Sequence, residues 1–208
     1  MPDDRPLLFA TETDTTHALA KALDADLEPL PVASETERFE SWRASAIEGA
    51  PRDRVIVAVW LEAADPRDLA MLDRDAWRRR FEVPYLLWNF ALGAAGRRCA
   101  DGGTVVAVAQ SPAALDAPGH TPELAIADGV LALVRSVAAA EGPRGVRANL
   151  VTTPIDLIQG DLVAPAPPLA GFPGTIETHV AGAVRSFLGP DSAGLTGRVL
   201  SADGGRSL

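Results

Sequence analysis

Two stretches of this chain are apolar at almost every position: Val-Ile-Val-Ala-Val-Trp at 55–60 and Thr-Val-Val-Ala-Val-Ala at 104–109. A strand with one wet face alternates apolar and polar residues, whereas an unbroken apolar run between helical patterns marks a strand covered on both faces. Two such strands require helices on both sides of one sheet, which restricts the chain to an α/β arrangement. Weaker strand patterns lie at Leu7–Ala10, 27–32, 145–151 and 198–202. Helical patterns fall between them. The first is Asp14–Leu23, with Thr13 or Asp14 as its cap, and the second is 35–47, with Phe39, Trp42 and Ala46 on one face. A long third pattern at 73–98 is interrupted by Pro84, which should kink or divide it. A fourth begins at Pro122 behind an N-capping Thr121, and a fifth runs over 175–188 and stops at Gly189-Pro190. This alternation predicts one domain over residues 1–208, built on a mainly parallel sheet with right-handed crossovers. The segment 159–174, which holds Pro165, Pro167, Pro168 and Pro173, reads as an ordered surface loop.

Charge and cysteine usage exclude several functions. A net charge of −9 disfavours nucleic-acid backbones and anionic membranes as partners. Arg78, Arg79 and Arg80 form a local basic run, read as a solvated helix face. Cys99 is the single cysteine, so no internal disulfide can form and a reducing compartment fits. The opening Met-Pro-Asp-Asp-Arg has no targeting pattern, and no apolar run approaches the ~20 residues of a membrane helix. A soluble cytoplasmic protein is expected. His17, His120 and His179 make no ligand motif, so no metal is expected.

Residues 121–149, Thr-Pro-Glu-Leu-Ala-Ile-Ala-Asp-Gly-Val-Leu-Ala-Leu-Val-Arg-Ser and onward to Asn149, resemble the active-site helix and following strand of short-chain dehydrogenases/reductases. So does the ending Leu195-Thr-Gly-Arg-Val-Leu-Ser-Ala-Asp-Gly-Gly205, and so does Trp77 with the long helix and Gly103 to Ser111 after it. The resemblance covers most of 54–205, the better-matched half, and leaves 1–53 as a degenerate cofactor half. It implies a Rossmann-like doubly wound parallel sheet, shortened by about one strand-helix unit, on the order of 30 residues, between the first helix and Val55.

The family's functional positions fall on residues without its chemistry. Its Thr-Gly-x-x-x-Gly-x-Gly turn falls on Thr11 to Ala18, where Glu12, Thr16 and Ala18 replace the glycines. Cβ atoms then fill the space of a pyrophosphate, and Glu12 and Asp14 repel it. Thr15 and Thr16 read as helix caps instead. The turn after the fourth family strand falls on 58–61 and puts Trp60 where a small residue is needed beside the cofactor. The helix-interrupting Asn falls on Pro84, the Ser on Gln110 or Ser111, the Tyr on Leu124 and the Lys on Asp128. The resemblance assigns that Tyr the role of general acid, with a pKa lowered by the Lys; Leu124 has no proton to give, and Asp128 has the opposite charge. Neither nicotinamide binding nor hydride transfer is expected, and no cofactor.

What is kept is the apolar surface of the long helices. Leu124, Ala127, Leu131, Val134 and Ala138 form one stripe, and Ile126, Val130, Leu133 and Val137 a second. The preceding helix adds Phe81, Tyr85, Leu86, Leu87, Trp88, Phe90 and Leu92. One sheet face needs one stripe, and in the family these helices pair between subunits. The expectation is a non-catalytic subunit that pairs through 75–98 and 122–141 with an intact short-chain dehydrogenase/reductase, or with itself. Two other readings stay open: a cofactor-free enzyme using Ser111, His120 and Asp128, and a small-molecule-binding module lined by Trp60 and the proline-rich loop.

Overall fold

The computed structural model describes residues 5–61, 65, 67–111, 119–154 and 175–204. Its centre is a six-stranded, all-parallel sheet in the order β2-β1-β3-β4-β5-β6. The strands are β1 (Leu7–Ala10), β2 (Asp26–Pro29), β3 (Arg52–Ala58), β4 (Cys99–Gln110), β5 (Arg147–Thr153) and β6 (Val199–Ser201). The main helices are α1 (Asp14–Leu23), α2 (Phe39–Glu48), α3 (Arg74–Trp77), α4 (Val83–Arg98), α5 (Thr121–Glu141) and α6 (Ala181–Leu188). A doubly wound sheet usually runs 3-2-1-4-5-6. Here the chain goes from β1 out to β2 and returns directly to β3, so the strand outside β2 is missing, as the shortened sequence predicts.

Side chains alternate across the sheet and define two cores. Leu7, Phe9, Val55, Val57, Val105, Ala107 and Leu150 face α2, α4 and α5. Leu8, Ala10, Ile56, Ala58, Val106, Val108 and Val151 face α1 and α6. Three helices on one face explain why 73–98 and 122–141 are so apolar. Leu87, Trp88, Leu92, Val130 and Val134 reach the core, while Phe81, Tyr85, Phe90, Leu131, Leu133 and Val137 pack around its margin. Helices lying side by side bury each other's flanks; Ile126 and Val130 of the second stripe are buried there, while Leu133 and Val137 stay half-buried. Gly129 permits the closest approach: a Cβ on it would stand 2.5 Å from the Tyr85 ring.

Losing the outer strand leaves β2 as an edge, and its composition suits that position. Asp26, Glu28 and Pro29 discourage pairing with another strand. Asp26 binds Arg5 at 2.9 Å and Arg52 at 3.1 Å, and Glu28 lies 3.7 Å from Arg98. The buried Arg98 also donates to the carbonyl oxygens of Ala46 and Ala50, at 2.6 Å each. It thereby places a cation at the C-terminal end of α2, where the helix dipole favours one. Gly49 leaves the room, since a Cβ there would overlap the guanidinium.

Several boundaries depart from expectation for identifiable reasons. β2 spans Asp26–Pro29 rather than 27–32, because Pro31 has no N–H to continue the ladder. β4 begins at Cys99 rather than 104, with an irregular register beside Arg52 and Arg54 and Gly102 at φ +77. β3 ends at Ala58, and Val59 and Trp60 leave it for the site. Thr121 is the first residue of α5 rather than its cap; His120 takes that position without a capping bond from its side chain. Pro84 sits in the first turn of α4, behind a π-helical turn at Arg78–Glu82 in which the Val83 N–H bonds to the Arg78 carbonyl. Proline's missing donor is thus absorbed by widening one turn, and the helix is divided there.

Cys99 is fully buried, and burial pushes its thiol up to about 12. Native protein at pH 8 is expected to resist thiol-labelling reagents and to react fully once unfolded in urea. The folded pKa lies above the unfolded value, so the unfolded chain loses this proton first. Stability should therefore fall as pH rises from about 9 toward 12, and Cys99→Ala should lessen that fall in urea titrations at each pH.

Candidate functional site

In a doubly wound sheet, ligands bind outside the C-terminal strand ends where the crossovers diverge. Here that point lies between β1 and β3, and it is laced together by hydrogen bonds. The Thr11 hydroxyl donates to the Trp60 carbonyl at 2.6 Å and accepts from the Trp60 N–H at 2.9 Å. The Thr11 N–H donates to the Ala58 carbonyl at 3.2 Å. β1 then turns into α1 through Thr13, whose side chain accepts from the Thr16 N–H at 3.2 Å. In return the Thr16 hydroxyl accepts from the Thr13 N–H at 3.0 Å, completing a capping box. The Thr16 side chain is fully buried and also donates back to the Thr11 carbonyl at 2.6 Å. Two N–H groups of this helix start, those of Thr13 and Thr16, are therefore met from within the turn.

Trp60 extends this closed point across the sheet. It is completely buried, and its indole N–H donates to the Val108 carbonyl of β4 at 2.8 Å. The space left lies to one side. A cleft of ~800 Å³ is bounded by the Thr11–Thr13 turn, the segment 30–36 after β2, Trp60 and Leu61, and Asp75, Arg78, Arg79 and Val83. A smaller hollow of ~420 Å³ lies across Leu30–Val32 from it, against Arg38 and Trp42.

The three consecutive arginines do not share one environment. Arg78 and Arg79 are exposed and line the cleft. Arg80, expected on a solvated face, is half-buried: it makes a two-pronged contact with Glu123 in the first turn of α5, at 2.9 and 2.8 Å, and donates to the Gly119 carbonyl at 2.9 Å. The planar guanidinium suits this bidentate geometry, which ties the π turn to the start of α5.

The positions matching the family's catalytic residues are scattered in character. Pro84 is buried. Gln110 ends β4 opposite Thr153, and the Ser111 N–H donates to the Thr153 carbonyl at 2.9 Å. Leu124 is half-buried and Asp128 exposed, one turn apart on α5. A Ser111–His120–Asp128 relay is not formed. The carboxylate beside His120 is Glu123, at 3.7 Å from Nδ1, and no hydrogen bond joins His120 to Ser111 or Asp128 among the described residues. Segment 112–118 and the proline-rich loop 159–174 lie outside the described residues. His179 accepts from the Thr175 N–H at 3.0 Å, and the described residues contain no group of three or more metal-ligating side chains. No helix among them is long and apolar enough to cross a membrane. The pairing of Arg80 with Glu123 was missed from the sequence because 43 residues separate them. The bond from Thr11 to Trp60 was missed for the same reason.

Neither a protein-family model nor a curated protein sequence matches this chain. Solved structures do match in fold. A short-chain dehydrogenase/reductase from Serratia marcescens superposes with a TM-score of 0.74 at 18% identity, covering 99% of both chains. A blue fluorescent protein from a metagenomic library, solved in complex with NADPH, gives 0.75 at 22% identity and 99% coverage of both. BdcA, also in complex with NADPH, gives 0.66 at 18% identity over 96% of this chain and 93% of its own. The fold is that of short-chain dehydrogenases/reductases.

Proposed function

We propose that this chain is a pseudoenzyme of the short-chain dehydrogenase/reductase fold, which neither holds a dinucleotide at its β1–α1 turn nor transfers hydride. One observation carries the reading: the Thr11–Trp60 and Thr13–Thr16 hydrogen bonds tie the turn at the switch point together with threonine side chains in place of an open glycine turn. A diphosphate there would have to displace a buried hydroxyl and approach Glu12, and two N–H groups of the turn are already engaged by threonine side chains. Leu124 and Asp128 add that the general acid and its tuning cation are both missing. The residues present at the turn do not fit the diphosphate of NADPH.

Its role is that of a non-catalytic subunit, pairing through α4 and α5 with an intact short-chain dehydrogenase/reductase or with itself. Leu86, 41% exposed on α4, and the half-buried margin of Leu131, Leu133 and Val137 support a contact surface there. The ~800 Å³ cleft supports a second role, in which the subunit binds a small molecule. The test has two arms. NADH and NADPH fluorescence titrations of the isolated chain are expected to show no binding; a micromolar dissociation constant overturns the pseudoenzyme reading. Light scattering of the chain, alone and mixed with an intact short-chain dehydrogenase/reductase from the same genome, should give a dimer or tetramer that Leu86→Arg dissociates. A monomer in both samples overturns the pairing.

A further inference from the structure

From the cleft's lining we infer that it is a binding site for a monocarboxylate carried on a compact apolar body. This deepens the small-molecule reading above and rests on it. The volume, ~800 Å³, falls within the range of small-molecule sites. Leu30, Val32, Leu61 and Val83 supply apolar walls, and Val32 remains 63% exposed at the surface. Such walls select an apolar or aromatic body over a sugar.

Charge selects the other end of the ligand. Arg78 and Arg79 enter the cleft from the π turn, and neither forms an ion pair with a described residue, although Arg80 beside them is pinned by Glu123. Both guanidinium groups are exposed on the cleft wall. A carboxylate is their natural partner, because its two oxygens match the planar fork. Glu12 and Asp75 line the same cleft, so its four charged side chains sum to zero. A singly charged acid leaves the cleft at −1, whereas a phosphate dianion would leave it at −2 against the same two carboxylates. The capping box already engages the Thr13 and Thr16 N–H groups at the helix start beside the cleft. The favoured ligand is therefore a singly charged acid.

Isothermal titration calorimetry of the full chain with four probes tests this. The probes are 2-naphthoate, neutral 2-naphthamide, 1-naphthyl phosphate and NADPH. Naphthoate is expected to bind about tenfold or more tightly than the amide, the worth of a charge-assisted contact, and more tightly than the phosphate. Arg78→Gln/Arg79→Gln should remove that preference while leaving the urea midpoint unchanged, since both side chains are exposed. Equal affinity for naphthoate and amide, tighter binding of the phosphate, an unaltered double variant, or no binding of any naphthyl probe each overturns the inference. Binding of NADPH instead overturns the pseudoenzyme reading, so the two failures are separable.

Discussion

Trp60→Ala should destabilise the protein by about 3–5 kcal/mol, the range for truncating a fully buried large aromatic side chain. Trp60 is among the largest side chains with no exposed surface. It fills the end of the sheet on the α1 and α6 side, packed in the same core as Ile56, Ala58 and Val108. Alanine would leave a void that the paired strands cannot close, and would remove the indole donor to the Val108 carbonyl. For a chain of this length the loss corresponds to a drop in Tm of about 6–20 °C. Trp60→Phe keeps most of the volume and loses only the donor, so it should cost about 1–2 kcal/mol. Urea denaturation followed by far-UV circular dichroism measures both. A cost below about 1 kcal/mol for the alanine variant would show that the indole is not a packed part of the core. The alanine variant should still fail to bind NADPH, because the bonds from Trp60 to Thr11 use backbone atoms and survive the substitution.

The interior strands were legible because burial on both faces leaves a compositional trace. The apolar runs around Val57 and Ala107 declare β3 and β4 without help from any contact. Edges were less legible. Leu27, Leu30 and Val32 look like one strand, but Pro31 ends the ladder and turns 30–34 into a cleft wall, which no local pattern announces. The first residues of β4 include Gly102 and Gly103, which read as a turn. They are instead an irregular strand start, where a Cβ on Gly103 would stand 2.6 Å from the Asp53 carbonyl oxygen. In the site, the replaced glycines at 12, 16 and 18 were visible in the sequence. What their replacements do was not: the Thr16 hydroxyl bonds back to Thr11, and Thr11 bonds across 49 residues to Trp60. The fate of Arg80 was hidden too, since a run of three arginines says nothing of a carboxylate on another helix. The apolar excess of the long helices was read as surface awaiting a partner. Part of it is used where α2, α4 and α5 lie side by side on one face, an arrangement that belongs to the topology rather than to any one helix, while Leu86 stays exposed and Leu131, Leu133 and Val137 half-buried.

Restoring the missing acid and its cation without reopening the turn should give no reductase. Leu124→Tyr/Asp128→Lys places a phenol and an ammonium one turn apart on α5, the spacing that lets the cation lower the phenol's pKa. Yet NADPH consumption by this variant is expected to stay at background, because the β1–α1 turn still carries the Glu12 carboxylate and the buried Thr16 hydroxyl, and the Thr13 and Thr16 N–H groups stay engaged with each other's side chains. Adding Glu12→Gly/Thr16→Gly removes one repelling carboxylate and the buried hydroxyl. Thr16→Gly alone should cost about 2–4 kcal/mol. It deprives the Thr13 N–H and the Thr11 carbonyl of their partner, at about 1–3 kcal/mol for a buried unsatisfied group, and it adds glycine's entropy in a helix, about 0.5–1 kcal/mol. That cost measures how far the threonine turn has become structural. NADPH fluorescence should respond only in the fourfold variant, and its urea midpoint should fall by the amount that Thr16→Gly predicts. If the Tyr/Lys variant alone binds and consumes NADPH, the threonine turn is no barrier and the proposed inactivity rests on two side chains of α5.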